Sequence, residues 1–201
     1  MALPASKTPF FDILTKGLRT GQLPNHTKAA KEWYRNAGMD IQKVNRSDIL
    51  KNQSSARKKV TPSTVEVGSM FLYNYDPKHK KTLDVYDTFP LVIPISVEND
   101  RFLGMNFHYL PPKLRAKLLD ALYSVANNDK FDRSTKLNIS YNILKQVAKS
   151  DLYKPTIHMY LKKHVKSKIR YIEPSEWNTV LMLPLAKFSG KNASMYNFGG
   201  K

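Results

Sequence analysis

Residues 89–110 read FPLVIPISVENDRFLGMNFHYL. Two apolar runs flank Asn99-Asp100, a tight-turn signal, so the segment predicts a β-hairpin. In the second run Phe102, Gly104, Asn106 and His108 alternate with Leu103, Met105, Phe107 and Tyr109, the two-residue period of a strand. Pro90 and Pro94 remove ladder donors from the first run, which therefore predicts an edge strand or a bulge. Upstream, VGSMFLYNYDP (67–77) is a further strand, ended by Asp76-Pro77. With Gly68 and Gly104 at bends, three curved strands predict an α+β chain built on a small SH3-like β-barrel or a curved antiparallel sheet.

Beyond the hairpin the pattern turns helical. Pro112 suits a first helical turn, with Leu114, Leu118, Ala121, Leu122 and Val125 on one face, and Asn127-Asn128-Asp129 ends that run. Ser134 is read as the cap of a second helix carrying Leu137, Tyr141, Leu144 and Ala148. A third helix is expected after Pro155, with Ile157, Tyr160, Leu161 and Val165 inward and His158, Lys162, Lys166 and Arg170 four apart on its outer face. These form an inserted helical subdomain. Ile169–Glu173 reads as a short strand completing the barrel, and Pro174-Ser175-Glu176 as the start of a last turn. Before the core, residues 1–64 read as a basic arm with helices near Pro9–Leu18 and His26–Ala37, then a Ser/Asn/Lys-rich linker from 45 to 64. The organisation is thus arm and linker 1–64, core 65–188 (strands 65–110, helices 111–168, strand 169–173, terminal segment 174–188) and an extended tail 189–201.

Charge gives the functional direction. The chain carries +17 from 33 Lys+Arg against 16 Asp+Glu. Residues 1–64 hold 12 basic and 4 acidic groups, residues 65–110 hold 4 and 6, and residues 111–201 hold 17 and 6. A near-neutral middle between two cationic arms points to a polyanion, most often nucleic acid. The candidate DNA contacts are Arg57, Lys58 and Lys59 in the linker, Lys78, Lys80 and Lys81 after the first strand, and Lys162, Lys163, Lys166, Lys168 and Arg170. A solvated face usually mixes signs, yet Lys154 through Arg170 contains no acid. Lys113, Arg115 and Lys117 extend the same surface. Tyr73, Tyr75, Tyr86, Phe107 and Tyr109 read as core and rim rather than base stackers, because no aromatic–basic repeat accompanies them, and Trp33 and Trp177 read as packing anchors.

Other classes are disfavoured. At 41% hydrophobic the chain can bury a core, and without cysteine it can form neither disulfides nor thiolate metal sites. No run approaches the roughly 20 apolar residues of a membrane span, and the N-terminus is not that of a secretory signal. No Gly-rich phosphate loop or Gly-x-Ser-x-Gly is present, and the five histidines lack metal spacing. Glu66 with Asp76-Pro77-Lys78 is similar to the carboxylate and Lys pattern of metal-dependent nucleases, with Asp84 and Asp87 as further carboxylates, but a proline interrupts it. The expectation is no enzyme, cofactor, small-molecule substrate or membrane partner.

The strings Tyr73-Asn74-Tyr75-Asp76-Pro77-Lys78, Tyr86-Asp87-Thr88-Phe89-Pro90-Leu91-Val92 and Phe102 through Pro111 resemble the DNA end protector (head completion) proteins of T-even-like contractile-tailed phages and their marine cyanophage relatives. The resemblance runs through Leu114-Arg115, Leu137 to Leu144, Tyr153-Lys154-Pro155, Tyr160-Leu161 and Val165-Lys166-Ser167 to Pro174-Ser175-Glu176-Trp177. It covers about residues 28–188 and is strongest from 70 to 177. It implies a minor virion protein that binds the ends of packaged double-stranded DNA, shields them from host exonuclease after injection and completes the head. It implies work in the virion and in the host cytoplasm, among other head, neck or tail subunits, and assigns no individual contact residue. The competing reading is a structural neck or tail part, connector or baseplate, whose basic arms bind acidic partner subunits.

Overall fold

The computed structural model describes residues 10–12, 64–126, 128–177 and 185–196. Its elements are β1 (Met70–Leu72), β2 (Tyr86–Asp87), β3 (Leu91–Val97), β4 (Arg101–Asn106), α1 (Pro112–Ala126), α2 (Arg133–Val147), β5 (Ile157–Leu161), β6 (Arg170–Ile172) and β7 (Phe188–Ser189). Strands β5-β4-β3-β1-β6 form one antiparallel sheet, and β2 pairs with β7 apart from it. The α+β expectation and the antiparallel sheet hold. The closed barrel does not: β5 and β6 are the two edges of the sheet.

Strand alternation explains how the sheet buries both faces. Met70, Leu72, Leu91, Ile93 and Met105 point to one side, where they pack with Leu118, Leu119 and Leu122 of α1 and Leu144 of α2. Phe71, Val92, Phe102 and Tyr160 point to the other, into a smaller aromatic core with Tyr73 and Tyr75. There Phe102 stacks on Tyr160 at 5.3 Å, and Tyr73 meets both rings edge-on. Tyr73, Tyr75, Phe107 and Tyr109 are all buried, as expected of packing aromatics, while Tyr86 is half-buried.

The 89–110 segment forms the expected hairpin, closed by the Glu98 N–H donating to the Arg101 carbonyl at 2.8 Å. Its first strand lies in the interior of the sheet, not at an edge. A register shift between Pro94 and Ser96 provides the bulge that accommodates the missing proline donor. The α1/α2 pair is inserted between β4 and β5 and covers one face. Asp132, not Ser134, caps α2: its carboxylate accepts the Thr135 N–H at 2.7 Å, and Ser134 lies inside the first turn.

The third helix is a correction. Residues 157–161 are a strand, β5, pairing with Arg101–Met105, and 162–164 form one 3₁₀ turn. Ile157, Tyr160 and Leu161 fit helical spacing, but the open edge of β4 satisfies the same backbone with a ladder and buries Tyr160 on Phe102. Helical structure therefore does not run to 168, and His158, Lys162, Lys166 and Arg170 do not share a helix face. Ile169–Glu173 contains the expected strand, at the sheet edge beside β1. Trp177 is a packing anchor, 4% exposed, behind the expected turn at Pro174–Glu176.

Segments near both ends of the chain touch the core. Phe10 is fully buried, edge-on to Tyr123 at 5.0 Å, and the buried Asp120 carboxylate accepts the N–H groups of Phe10 and Phe11 at 2.9 and 3.1 Å. The rest of the expected N-terminal arm up to residue 63, including Trp33, lies outside the described residues. The tail is not simply extended: Phe188–Ser189 pairs with β2, and Ala193–Tyr196 is a 3₁₀ turn.

Gly104 lies opposite Pro94 in the β3–β4 ladder and leaves no room for a side chain. A Cβ there would lie 2.3 Å from Val92 Cγ1, a rigid buried side chain. Gly104→Ala is expected to destabilise the protein by about 1–3 kcal/mol through overpacking. A denaturant midpoint that does not move would remove this constraint.

Candidate nucleic-acid interface

A buried carboxylate joins β2 to the end of β4 and to the start of β7. Asp87, in β2, is 4% exposed. Its Oδ1 accepts the N–H groups of Phe89 (2.9 Å) and Lys187 (3.2 Å). Its Oδ2 accepts from Asn106 Nδ2 (3.0 Å) and His108 Nδ1 (2.6 Å). The carbonyl of the Asn106 side chain in turn accepts the His108 N–H, and Arg115 donates to the His108 and Leu110 carbonyls. Burial alone would raise the Asp87 pKa. The adjacent His108, with hydrogen bonds from His108, Asn106 and Phe89, outweighs it and holds the group below the ordinary carboxylate value. Burial pushes Arg115 down to about 10, against an opposing pull from Asp87. Arg115 is thus an internal strut and shares no surface with Lys113 and Lys117, which are exposed on α1.

Asp87 fixes β2 against β7 and against the end of β4, and so anchors the chain that carries the first lysine cluster. Lys78, Lys80 and Lys81 lie on the turn between β1 and β2 and are exposed. The turn closes on itself, with Thr82 and Leu83 N–H groups donating to the His79 carbonyl. Lys80 pairs with Asp76 at 2.8 Å, which lowers the Asp76 pKa and raises that of Lys80. Lying at the surface, this pair does little for stability.

The second cluster lies on the β5–β6 connection, which crosses from one edge of the sheet to the other. Hydrogen bonds join it to the chain just past β1. Asp76 N–H donates to the His164 carbonyl, His164 Nδ1 meets the Asp76 carbonyl at 2.7 Å, Lys166 N–H donates to the Asn74 carbonyl, and Asn74 N–H donates to Ser167 Oγ. Tyr75 bridges Val165, and its hydroxyl accepts the Leu161 N–H. Two lysine groups from distant parts of the sequence are thereby held on neighbouring turns of one surface.

The members of the second cluster differ. Lys163, Lys166 and Lys168 are exposed and form no ion pair among the described residues. Lys162 folds onto the β3–β4 turn, its Nζ donating to the Glu98 carbonyl at 2.7 Å. Arg170 is paired with Glu176 at 2.8 Å in a half-buried site beside β6, turned into the protein's own fabric. Arg57, Lys58 and Lys59 lie outside the described residues. Sequence reading did not single out Lys187 and Lys191, both exposed, which flank β7; Lys187 Nζ lies 5.1 Å from the Phe89 ring. Their charge was open to reading, but no local pattern shows that Phe188–Ser189 pairs with β2.

The carboxylates of the nuclease pattern are dispersed. Glu66 pairs with Arg133, Asp76 with Lys80, and Asp87 is sealed in the network above. Among the described residues no group of three His, Asp or Glu is placed to hold a metal ion. A cavity of about 550 Å³ lies between the β1/β6 side of the sheet and the helices, lined by Gly68, Met70, Leu137, Ser140, Tyr171 and Trp177. No described helix is long and apolar enough to cross a membrane.

Among known proteins, the family model described as phage T4 terminal DNA protecting protein matches residues 13–198. No curated protein and no solved structure matches the chain.

Removing the Asp87 carboxylate leaves its donors buried without an acceptor. Asp87→Ala is expected to cost about 3–5 kcal/mol, read from the denaturant midpoint. Because the folded-state pKa is depressed, the contribution of Asp87 is fully present above the ordinary carboxylate value of 3.8 and is lost as pH falls through the folded value. The wild type should therefore lose more stability than the variant on acidification. Parallel losses would discard this role.

Proposed function

The chain belongs to the phage T4 terminal DNA protecting protein family, and we propose that it seats on the ends of packaged double-stranded DNA without reading sequence, protects them from host exonuclease and completes the head. What supports the reading beyond membership is the joining of two lysine turns, 78–81 and 162–168, into one surface through Asn74, Asp76, His164 and Ser167. On it Lys78, Lys81, Lys163, Lys166 and Lys168 are free of ion pairs among the described residues. Such ammonium groups suit phosphate oxygens, from which they release condensed counterions. They contact backbone and not base edges, so affinity falls steeply with salt and is indifferent to sequence. Lys80 and Lys162 supplement this surface, and Arg57, Lys58 and Lys59 supply a further basic segment.

Protection then needs no bond to be made or broken. A protein bound over a terminus denies an exonuclease the strand end it must thread. The protein acts in the virion, beside other head, neck or tail subunits, and in the host cytoplasm during assembly and after injection.

The test is a gel shift on linear blunt-ended DNA against closed circles at rising salt, with exonuclease resistance of the linear form as the functional reading. End preference with protection is expected. No binding at low salt would overturn the proposal and leave a structural neck or tail part whose cations face acidic subunits. Lys163→Ala with Lys166→Ala and Lys168→Ala should reduce the slope of log affinity on log salt by about 0.9 for each phosphate no longer neutralised, with unchanged stability. Neutralising Arg57, Lys58 and Lys59 together should also lower the slope. An unchanged slope in either variant removes that cluster from the interface.

A further inference from the structure

A surface of lysines alone cannot distinguish a duplex end from its middle, since phosphates line both. An end differs in exposing one face of a base pair, flat and apolar. Recognising it calls for apolar side chains set among cations. The described surface has such a place. Leu83 is 41% exposed and Met195 is 69% exposed, the latter the most exposed large apolar side chain among the described residues.

These two residues are far apart in sequence, and β2 and β7 join the turns that carry them. Tyr86 pairs with Ser189, and the Asn192 N–H donates to the Asp84 carbonyl at 2.9 Å, next to Leu83. Met195 follows on the same turn, its N–H donating to the Asn192 carbonyl at 3.1 Å. The close approach requires Gly190: its φ is +104°, and a Cβ would lie 2.5 Å from the Asp84 carbonyl oxygen. The next residue, Tyr196, packs on Tyr109 at 4.7 Å and on Phe188 at 5.2 Å, which holds the turn bearing Met195 against the protein. Lys78, Lys80 and Lys81 precede Leu83 on one turn and Lys191 precedes Asn192 on the other, while Lys187 lies further along, its Nζ 5.1 Å from the Phe89 ring. The opposing acids are Asp84, exposed, and Asp76, paired with Lys80.

We propose that Leu83 and Met195 form an apolar platform for the terminal base pair of duplex DNA, with the surrounding lysines on the last phosphates, and that this platform supplies end preference. Leucine and methionine are among the side chains that press on base faces in other DNA complexes. The charge around the pair matches a polyanion and not an apolar membrane or an uncharged partner. The inference rests on the DNA end reading above and names the residues that separate an end from the rest of the duplex.

The experiment uses the full-length protein and a double variant, Leu83→Ser with Met195→Ser. Both positions are exposed, so the fold is expected to persist, checked by an unchanged thermal midpoint. Binding to a blunt linear duplex is competed with relaxed closed-circular DNA, and a second duplex carries 2-aminopurine in its terminal base pair. The variant should bind the circle with wild-type affinity and salt slope, lose about tenfold of the preference for blunt ends, and cease to change the terminal 2-aminopurine emission. If the variant keeps the preference, the platform is wrong while the end-binding reading stands. If the wild type binds neither DNA, the reading beneath it fails. A variant with unaltered DNA binding that no longer joins the particle would assign the patch to a protein neighbour and overturn the proposal.

Discussion

One buried carboxylate holds the β2–β7 end of this protein together. An unpaired carboxylate inside a protein costs several kcal/mol, and Asp87 is tolerated because donors from separate stretches of chain converge on it. Phe89 lies in the bend between β2 and β3, Asn106 ends β4, His108 lies in the 3₁₀ turn that follows it, and Lys187 leads into β7. The β3–β4 ladder joins two of these stretches, but β2 and β7 are each only two residues long. The hydrogen bonds to Asp87 do what an extended sheet does elsewhere. They set the origin of the Lys78–Lys81 turn and the seat of the turn after β7.

The sheet divides two tasks between its faces. Its helix-covered side carries most of the aliphatic core, while the other side is closed by Tyr73, Tyr75, Phe102 and Tyr160 with the β5–β6 connection drawn over them. That connection can be rich in lysine because groups other than Lys163, Lys166 and Lys168 side chains tie it down, through Asn74, Asp76 and Ser167. The side chains of Lys163, Lys166 and Lys168 remain in water, where like charges repel least. Arg170, at the edge of the same stretch, contributes instead to internal cohesion through Glu176. Adjacent cations of one sequence cluster therefore serve opposite ends, distinguished by whether β6 turns them toward the protein's interior or leaves them outside.

Much of the fold was legible in the residues themselves. The hairpin at 89–110, both helices of the insertion and the strand near Arg170 carried strong local signals: alternation, Pro112 at a first turn, repeated apolar faces. The surplus of cations and the burial of the tyrosines were equally open to reading. The departures have a common origin. Residues 157–161 have apolar spacing compatible with either period, and the outcome was decided by the unpaired edge of β4, far earlier in the chain. The same is true of Pro94, which suits a bulge inside the sheet as well as a place at its rim.

Composition and local pattern, then, determined that this chain is an α+β protein with a hairpin at its centre and an excess of positive charge suited to phosphate. Those properties depend on residue types and on neighbours a few positions away. Which lysines stand together, which cation is taken up by Glu176, and how Leu83 comes to lie beside the turn bearing Met195 were decided only by tertiary structure. Such placements depend on hydrogen bonds across about 100 residues, from Asp87 to Lys187 and from Asp84 to Asn192, and no local spacing encodes a partner at that distance.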